Sequence, residues 1–198
     1  MATIVFGGSF DPIHLGHLAM AQAALDYLPT AKLLLIPAAC SPFKTNRIMA
    51  KNEHRLAMCR LVAQQDERIS VSDIEFHLPK PSFTVHTIHR LLNDQPDQYY
   101  FLCGADSFLT LPKWKSYEIL AKSVTFLVAD RCDCQQKQLQ DMQHHISGVG
   151  GHSVVLSMPR VDVSSTQIRR QLQNQQSLAG LVSPEVERYL VENALYRE

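Results

Sequence analysis

Two histidines three residues apart, His14 and His17, lie in the stretch Gly7-Gly8-Ser9-Phe10-Asp11-Pro12-Ile13-His14-Leu15-Gly16-His17. Before it runs a short apolar segment, Ala2 to Phe6, and after it a helical pattern, Leu18 to Leu25. That context is a strand-to-helix turn, where free backbone N–H groups and the positive end of a helix dipole favour phosphate. The paired glycines let the backbone turn sharply and approach a ligand with no Cβ in the way, and Asp11-Pro12 stiffens the loop. A helical start puts His14 and His17 on one face, about a turn apart, so both imidazoles can donate hydrogen bonds to phosphate oxygens. Two plainer readings compete. A zinc pair would need a third ligand that no fixed spacing supplies, and a capping histidine beside a surface histidine would need no ligand at all.

A second constellation is Val163-Ser164-Ser165-Thr166-Gln167-Ile168-Arg169-Arg170. Ser164 with Gln167 three residues later fits a capping box, so a helix begins there, with hydroxyls, free N–H groups and Arg169 gathered near its first turns. A second anion site is one reading and an ordinary capped surface helix is the other.

These residues need a frame. Apolar, β-rich runs recur at 3–6, 32–36, 69–71, 99–103, 124–128 and 154–156, and helical patterns lie between them near 18–27, 52–64, 85–93, 117–121 and 135–145. Alternation of this kind predicts an α/β fold, a Rossmann-like doubly wound parallel sheet with helices on both faces and ligands at the carboxyl ends of its strands. Ser183-Pro184 opens a further capped helix, a small C-terminal helical extension. Gly148-Val149-Gly150-Gly151 follows a helix instead of a strand, so it reads as a loop and not as a dinucleotide fingerprint. No G-x-x-x-x-G-K-[ST] is present, which sets aside the P-loop enzymes.

The 198 residues, 45% of them hydrophobic, suffice for one core and are read as a single domain, 1–198. Acidic and basic side chains cancel at 19 each, so no global field argues for nucleic acid or a membrane surface. No apolar run approaches the roughly 18 residues of a membrane span, and no signal-like start is seen. The five cysteines (Cys40, Cys59, Cys103, Cys132, Cys134) lack paired C-x-x-C spacing, which suits reduced thiols in a cytoplasmic chain; Cys132 and Cys134 could hold a metal only with remote partners.

Together, the Gly-Gly-Ser-Phe-Asp-Pro-Ile-His-Leu-Gly-His and Ser-Ser-Thr-Gln-Ile-Arg segments resemble the nucleotidyltransferase superfamily, whose marks are H-x-G-H and S-[ST]-T-x-[IV]-R. Within it the chain is similar, nearly end to end, to the bacterial nicotinate-nucleotide adenylyltransferase family. Pro81-Ser82-Phe83-Thr84-Val85-His86-Thr87-Ile88 resembles that family's P-S-Y-T-x-x-T-L segment. Gly104-Ala105-Asp106-Ser107 through Pro112-Lys113-Trp114 resembles its G-x-D-S-x-x-x-x-P-x-W segment, and Leu195-Tyr196 its final Leu-Tyr. Departures exist: Ser41-Pro42-Phe43-Lys44 replaces Pro-Pro-His-Lys, leaving Lys44 as the candidate for charge, and Phe83 and His86 replace tyrosine and Asp or Gln.

The resemblance implies that ATP and nicotinate mononucleotide are joined to give deamido-NAD and pyrophosphate. His14, His17 and Arg169 would be the catalytic residues. Gly8, Ser9 and Phe10 would line the phosphate region through their backbone, and Gly104 and Asp106 would meet the adenosine, unless Asp106 is simply the N-cap of the next helix. Ser164, Ser165, Thr166 and Ile168 would complete the ATP side beside Arg169. Lys44, Phe83, Thr84, Trp114 and Lys115 would serve the mononucleotide. Trp114, the only tryptophan, would stack on the pyridine, with core packing as the alternative, and Thr84 and the Lys115 N–H would donate to the nicotinate carboxylate. Mg²⁺ would be held mainly by phosphates and water, with no protein metal cage. The oligomeric state is open, a homodimer being the candidate. Phosphopantetheine adenylyltransferase or a cytidylyltransferase would share the phosphate machinery, and a non-catalytic nucleotide-binding module would need only the glycine turn.

Overall fold

The computed structural model describes residues 2–40, 49–130 and 135–197. Six parallel strands, β1 (Ala2–Gly8), β2 (Lys32–Pro37), β3 (Ile69–Val71), β4 (Gln98–Gly104), β5 (Thr125–Asp130) and β6 (His152–Ser157), form one sheet in the order β3-β2-β1-β4-β5-β6. The helices are α1 (Leu15–Tyr27), α2 (Asn52–Ala63), α3 (Thr84–Asp94), α4 (Ala105–Leu109), α5 (Tyr117–Ser123), α6 (Gln136–Gly148), α7 (Ser165–Gln173) and α8 (Pro184–Glu192), with single 3₁₀ turns at Ile74–Phe76 and Leu111–Lys113.

The two-residue period of the strands divides the apolar residues between two cores. Ile4, Phe6, Leu33, Leu35, Leu102, Leu127 and Ala129 face the layer built by α1, α2, α7 and α8. Their neighbours Val5, Ile36, Phe101, Cys103, Phe126 and Val128 face the layer of α3, α5 and α6. Strands covered on both faces read as continuous apolar runs, which is why they stood out in the sequence. Strand order reverses between β1 and β4, and there the carboxyl ends of two neighbouring strands, Gly7-Gly8 and Gly104, diverge to leave a crevice.

Helix starts follow local chemistry. Ser164 Oγ accepts from the Gln167 N–H at 3.2 Å to cap α7, and Ser183 caps α8 ahead of Pro184 in the first turn. The expected helix 18–27 begins earlier, at Leu15, because His14 is its cap. The one-turn elements at 74–76, 105–109 and 111–113 are too short to show a period and were not expected. Far from an appendage, α8 buries Val186 and Leu190 in the first core.

Gly151, between α6 and β6, is where the second core allows no side chain. A Cβ there would lie 2.8 Å from the Ala121 carbonyl oxygen and 2.9 Å from both Ala121 Cβ and Ile146 Cγ2. Gly151→Ala is therefore expected to lower stability by about 1–3 kcal/mol, seen as a lower urea midpoint at an unchanged slope.

Candidate active site

The loop after β1 is shaped by one aromatic ring. Phe10 adopts a left-handed φ of 44°, costly for a residue with a side chain. Burial holds it: its ring is 1% exposed, edge-on to Phe6 at 5.4 Å and to His17 at 5.1 Å. The same ring passes beneath the glycine turn, where a Cβ on Gly8 would meet it at 3.0 Å. Phe10 thus serves the phosphate loop by fixing its backbone, with its side chain committed to the core.

His14 and His17 differ in role. The His14 backbone N–H donates to His17 Nδ1 at 3.2 Å, and the two rings stack with centroids 3.7 Å apart. With Nδ1 accepting, the proton of the neutral His17 ring sits on Nε2 and makes it a donor. His17 lines a cavity; His14 is 4% exposed, packed behind it.

Two cavities meet at the crevice. The larger, about 660 Å³, is lined among others by Glu75, Phe83, Thr84, Thr87, Trp114 and Lys115. The smaller, about 310 Å³, is lined among others by His17, Met20, Gly104, Ala105 and Asp130. Gly7, Gly8, Ser9, Phe101, Asp106, Ser107 and Trp114 belong to both, so ligands in the two would touch along the glycine turn. The larger cavity meets the start of α3, where Phe83 is the N-cap and Thr84 the first residue, so free N–H groups face it. Lys115 Nζ sits 4.5 Å over the Phe83 ring, and Trp114 stands edge-on to Phe101 at 6.0 Å. Trp114 therefore packs on the second core and still presents surface to both cavities.

The start of α7 is stitched to the histidine loop by residues far apart in sequence. Arg169 Nη1 donates to the Asp11 carbonyl at 2.6 Å and Nη2 to Thr166 Oγ1 at 2.9 Å, while Ser165 Oγ donates to the Pro12 carbonyl at 3.0 Å. The start of α7 is thereby fastened to the loop carrying the histidines. Beneath that loop Arg55 is fully buried and donates to the carbonyls of Ser9 (2.7 Å) and Ala50 (3.1 Å) and to Asn52 Oδ1. Burial pulls its pKa down, and the Asp11 charge is the strongest influence opposing that. Glu75 Oε1 accepts from Thr87 Oγ1 at 2.8 Å on the floor of the larger cavity; burial raises its pKa against the hydroxyls of Ser82 and Thr87.

The structure gathers Gly8, Ser9, His17, Phe83, Thr84, Gly104, Asp106, Trp114 and Lys115 around the cavities. Ser164, Ser165, Thr166 and Arg169 stand at the start of α7 against the same loop. Ile168 is fully buried, so only its backbone could face a ligand. Asp106 is not the N-cap of α4; Gly104 is, because its extended backbone precedes the first helical residue. Lys44 and Phe43, like Cys132 and Cys134, lie outside the described residues. Arg55, Glu75, Ser82 and Thr87 were missed. Arg55 had a readable signal: it shares the period of Met58, Cys59 and Val62, which places it on the apolar stripe of α2. Glu75, a lone carboxylate in a short apolar run, had none.

A family profile described as cytidylyltransferase-like matches residues 5–171, and this match makes the glycine turn, the histidine pair and the capped start of α7 parts of a nucleotidyltransferase fold. The chain is 36% identical over 193 residues to "Probable nicotinate-nucleotide adenylyltransferase" of Synechococcus sp. (strain JA-3-3Ab), covering 97% of this chain and 93% of the relative. It is 38% identical over 197 residues to the protein of the same name in Gemmatimonas aurantiaca, covering 98% and 92%. The chain belongs to the nicotinate-nucleotide adenylyltransferase family. A Plasmodium falciparum nicotinic acid mononucleotide adenylyltransferase, solved with NaAD, shares the fold at a TM-score of 0.79 and 19% identity, over 98% of this chain and 97% of that one.

Arg55→Met keeps the stem and removes the guanidinium, leaving the carbonyls of Ser9 and Ala50 without their donor. We expect a loss of about 2–4 kcal/mol in chemical denaturation, together with a raised KM for ATP as the loop above it loosens.

Proposed function

We propose that this chain transfers the adenylyl group of ATP to nicotinate mononucleotide. The observation that carries the reading is the pair of cavities sharing the wall of Gly7 to Ser9, with an aromatic pocket on one side and a histidine on the other. A mononucleotide in the larger cavity and ATP in the smaller would bring their phosphates together along that wall. A phosphate oxygen of the mononucleotide attacks the ATP α-phosphorus, the bond from that phosphorus to the bridging oxygen breaks, and pyrophosphate leaves. The protein supplies position and charge, and no covalent nucleophile. His17 Nε2–H would donate to phosphate oxygens as charge develops on them, with His14 stacked behind to fix the ring. Arg169 and the start of α7 would receive the leaving pyrophosphate.

On the pyridine side, Trp114 would stack on the ring, and Thr84 with the Lys115 N–H would hold the carboxylate. Such donors favour acid over amide, because an amide nitrogen facing them leaves a donor unpaired. Lys44 remains part of this proposal on sequence grounds. The donor set fits a Mg²⁺ carried in on ATP, since the Asp11 carboxylate is already taken by the Ala50 N–H and the Tyr196 hydroxyl, and Asp106 is the carboxylate both cavities share. The ion would spread phosphate charge while keeping most of its water. No helix among the described residues is long and apolar enough to cross a membrane. The reading keeps the chain in the cytoplasm, where Cys40, Cys59 and Cys103 stay as the free thiols seen here.

The test is pyrophosphate release with ATP and Mg²⁺ and, in parallel, nicotinate mononucleotide, nicotinamide mononucleotide and phosphopantetheine. Release with the first alone, or far above the others, is the expected result, and preference for phosphopantetheine would overturn the reading. His17→Ala should lower kcat by roughly 10²–10³-fold with the circular dichroism spectrum intact; retention of a third of the activity would remove His17 from the mechanism. Trp114→Ala should raise the KM for nicotinate mononucleotide about tenfold, a stacking loss of ~1–3 kcal/mol, with the KM for ATP little changed. The same single tryptophan should show fluorescence quenching by nicotinate mononucleotide in the wild type.

A further inference from the structure

Tyr196 follows α8 and is far in sequence from the phosphate loop, yet its hydroxyl donates to Asp11 Oδ1 at 2.6 Å across 185 positions. The same oxygen accepts from the Ala50 N–H at 3.0 Å. The other carboxylate oxygen, Oδ2, faces Arg169 Nη1 at 3.8 Å, and the Asp11 carbonyl takes the hydrogen bond of that same nitrogen. Asp11 is 1% exposed. A buried carboxylate with one oxygen pinned by two donors cannot rotate without breaking both, so its second oxygen holds a fixed position beside the guanidinium. Burial and then the Asp11 charge push the Tyr196 pKa up, so its hydroxyl stays a donor across the working pH range.

We propose that Tyr196 is a positioning residue of this site: its hydroxyl locks the Asp11 carboxylate, and the carboxylate in turn orients the Arg169 guanidinium toward the anion it receives. The inference rests on the reading of Arg169 as the holder of the leaving pyrophosphate. Tyr196 lines neither cavity; removing its hydroxyl frees Asp11 Oδ1, so the carboxylate can turn and shorten its 3.8 Å contact with Arg169 Nη1 into a direct hydrogen-bonded pair, which competes with phosphate. The effect acts through Arg169, the group read as holding the pyrophosphate, so it falls on ATP and on turnover and leaves the KM for the mononucleotide little changed.

The experiment is a kinetic cycle of wild type, Tyr196→Phe, Arg169→Ala and the double variant, each checked for fold by circular dichroism and thermal melting. In the wild-type background Tyr196→Phe is expected to lower kcat/KM for ATP about tenfold and to leave the KM for nicotinate mononucleotide within twofold. In the Arg169→Ala background the same substitution should change kcat/KM less than twofold, because the group it positions is gone. A purely structural tyrosine would give equal losses in both backgrounds, or raise both KM values alike, and either result overturns the proposal. Full activity of Arg169→Ala would overturn the assignment of Arg169 itself. An impaired Arg169→Ala with additive Tyr196→Phe would leave that assignment standing and remove only the role of Tyr196. Should Tyr196→Phe melt below the assay temperature, Asp11→Asn, which keeps an acceptor for Tyr196 and removes the charge beside Arg169, enters the same cycle and must likewise lose its effect once Arg169 is alanine.

Discussion

The structure turns on a carboxylate that has been taken out of water. Asp11 is 1% exposed, and a charge so placed is tolerable only if donors and cations surround it. Those four groups come from three stretches of chain: the Ala50 N–H just before α2 with the Arg55 guanidinium within it, Arg169 on α7, and Tyr196 after α8. Each segment is held in place by the need to satisfy this one residue and its carbonyl. The loop that would handle phosphate is rigid for the same reason, since Arg55 grips the Ser9 carbonyl while Arg169 grips that of Asp11.

Around this knot the sheet does simpler work. Strand order reverses between β1 and β4, so their carboxyl ends part and leave room on both faces of the glycine turn. One side receives the start of α3 and Lys115, the other His17 and Gly104, and the wall they share runs from Gly7 to Ser9 together with Phe101, Asp106, Ser107 and Trp114.

Much of this could be read from the chain before folding. The four inner strands were legible because burial on both faces makes them nearly uninterrupted apolar runs, and the cap of α7 because Ser164 and Gln167 stand at the spacing a helix start requires. The family resemblance rested on residues that the structure also brings together, from Gly8 and His17 to Thr84 and Trp114. What escaped was the support beneath them. Arg55 shows its burial by its place on the apolar stripe of α2 but not its grip on the distant Ser9 carbonyl, and for Glu75 neither the partner nor the depth is written in a local pattern. Phe10 was expected to serve through its backbone, and it does lie in the loop. That its ring would hold a left-handed turn from below could be known only once Phe6 and His17 were seen against it.

The span of these contacts bears on how the molecule comes together in time. The larger cavity is lined wholly by residues between Val5 and Lys115, whereas the arginine and tyrosine that tie down Asp11 lie 158 and 185 positions beyond it. Closing loops of that length costs chain entropy, and the segments that close them are the last to be synthesised. During synthesis the aromatic pocket can take shape while the segments that fasten the histidine loop have yet to be made. Until they dock, Asp11 lacks the hydroxyl and one of the two guanidinium groups that make its burial tolerable. The ties that fasten the histidine loop can thus be completed only once the last stretch of the chain has been made.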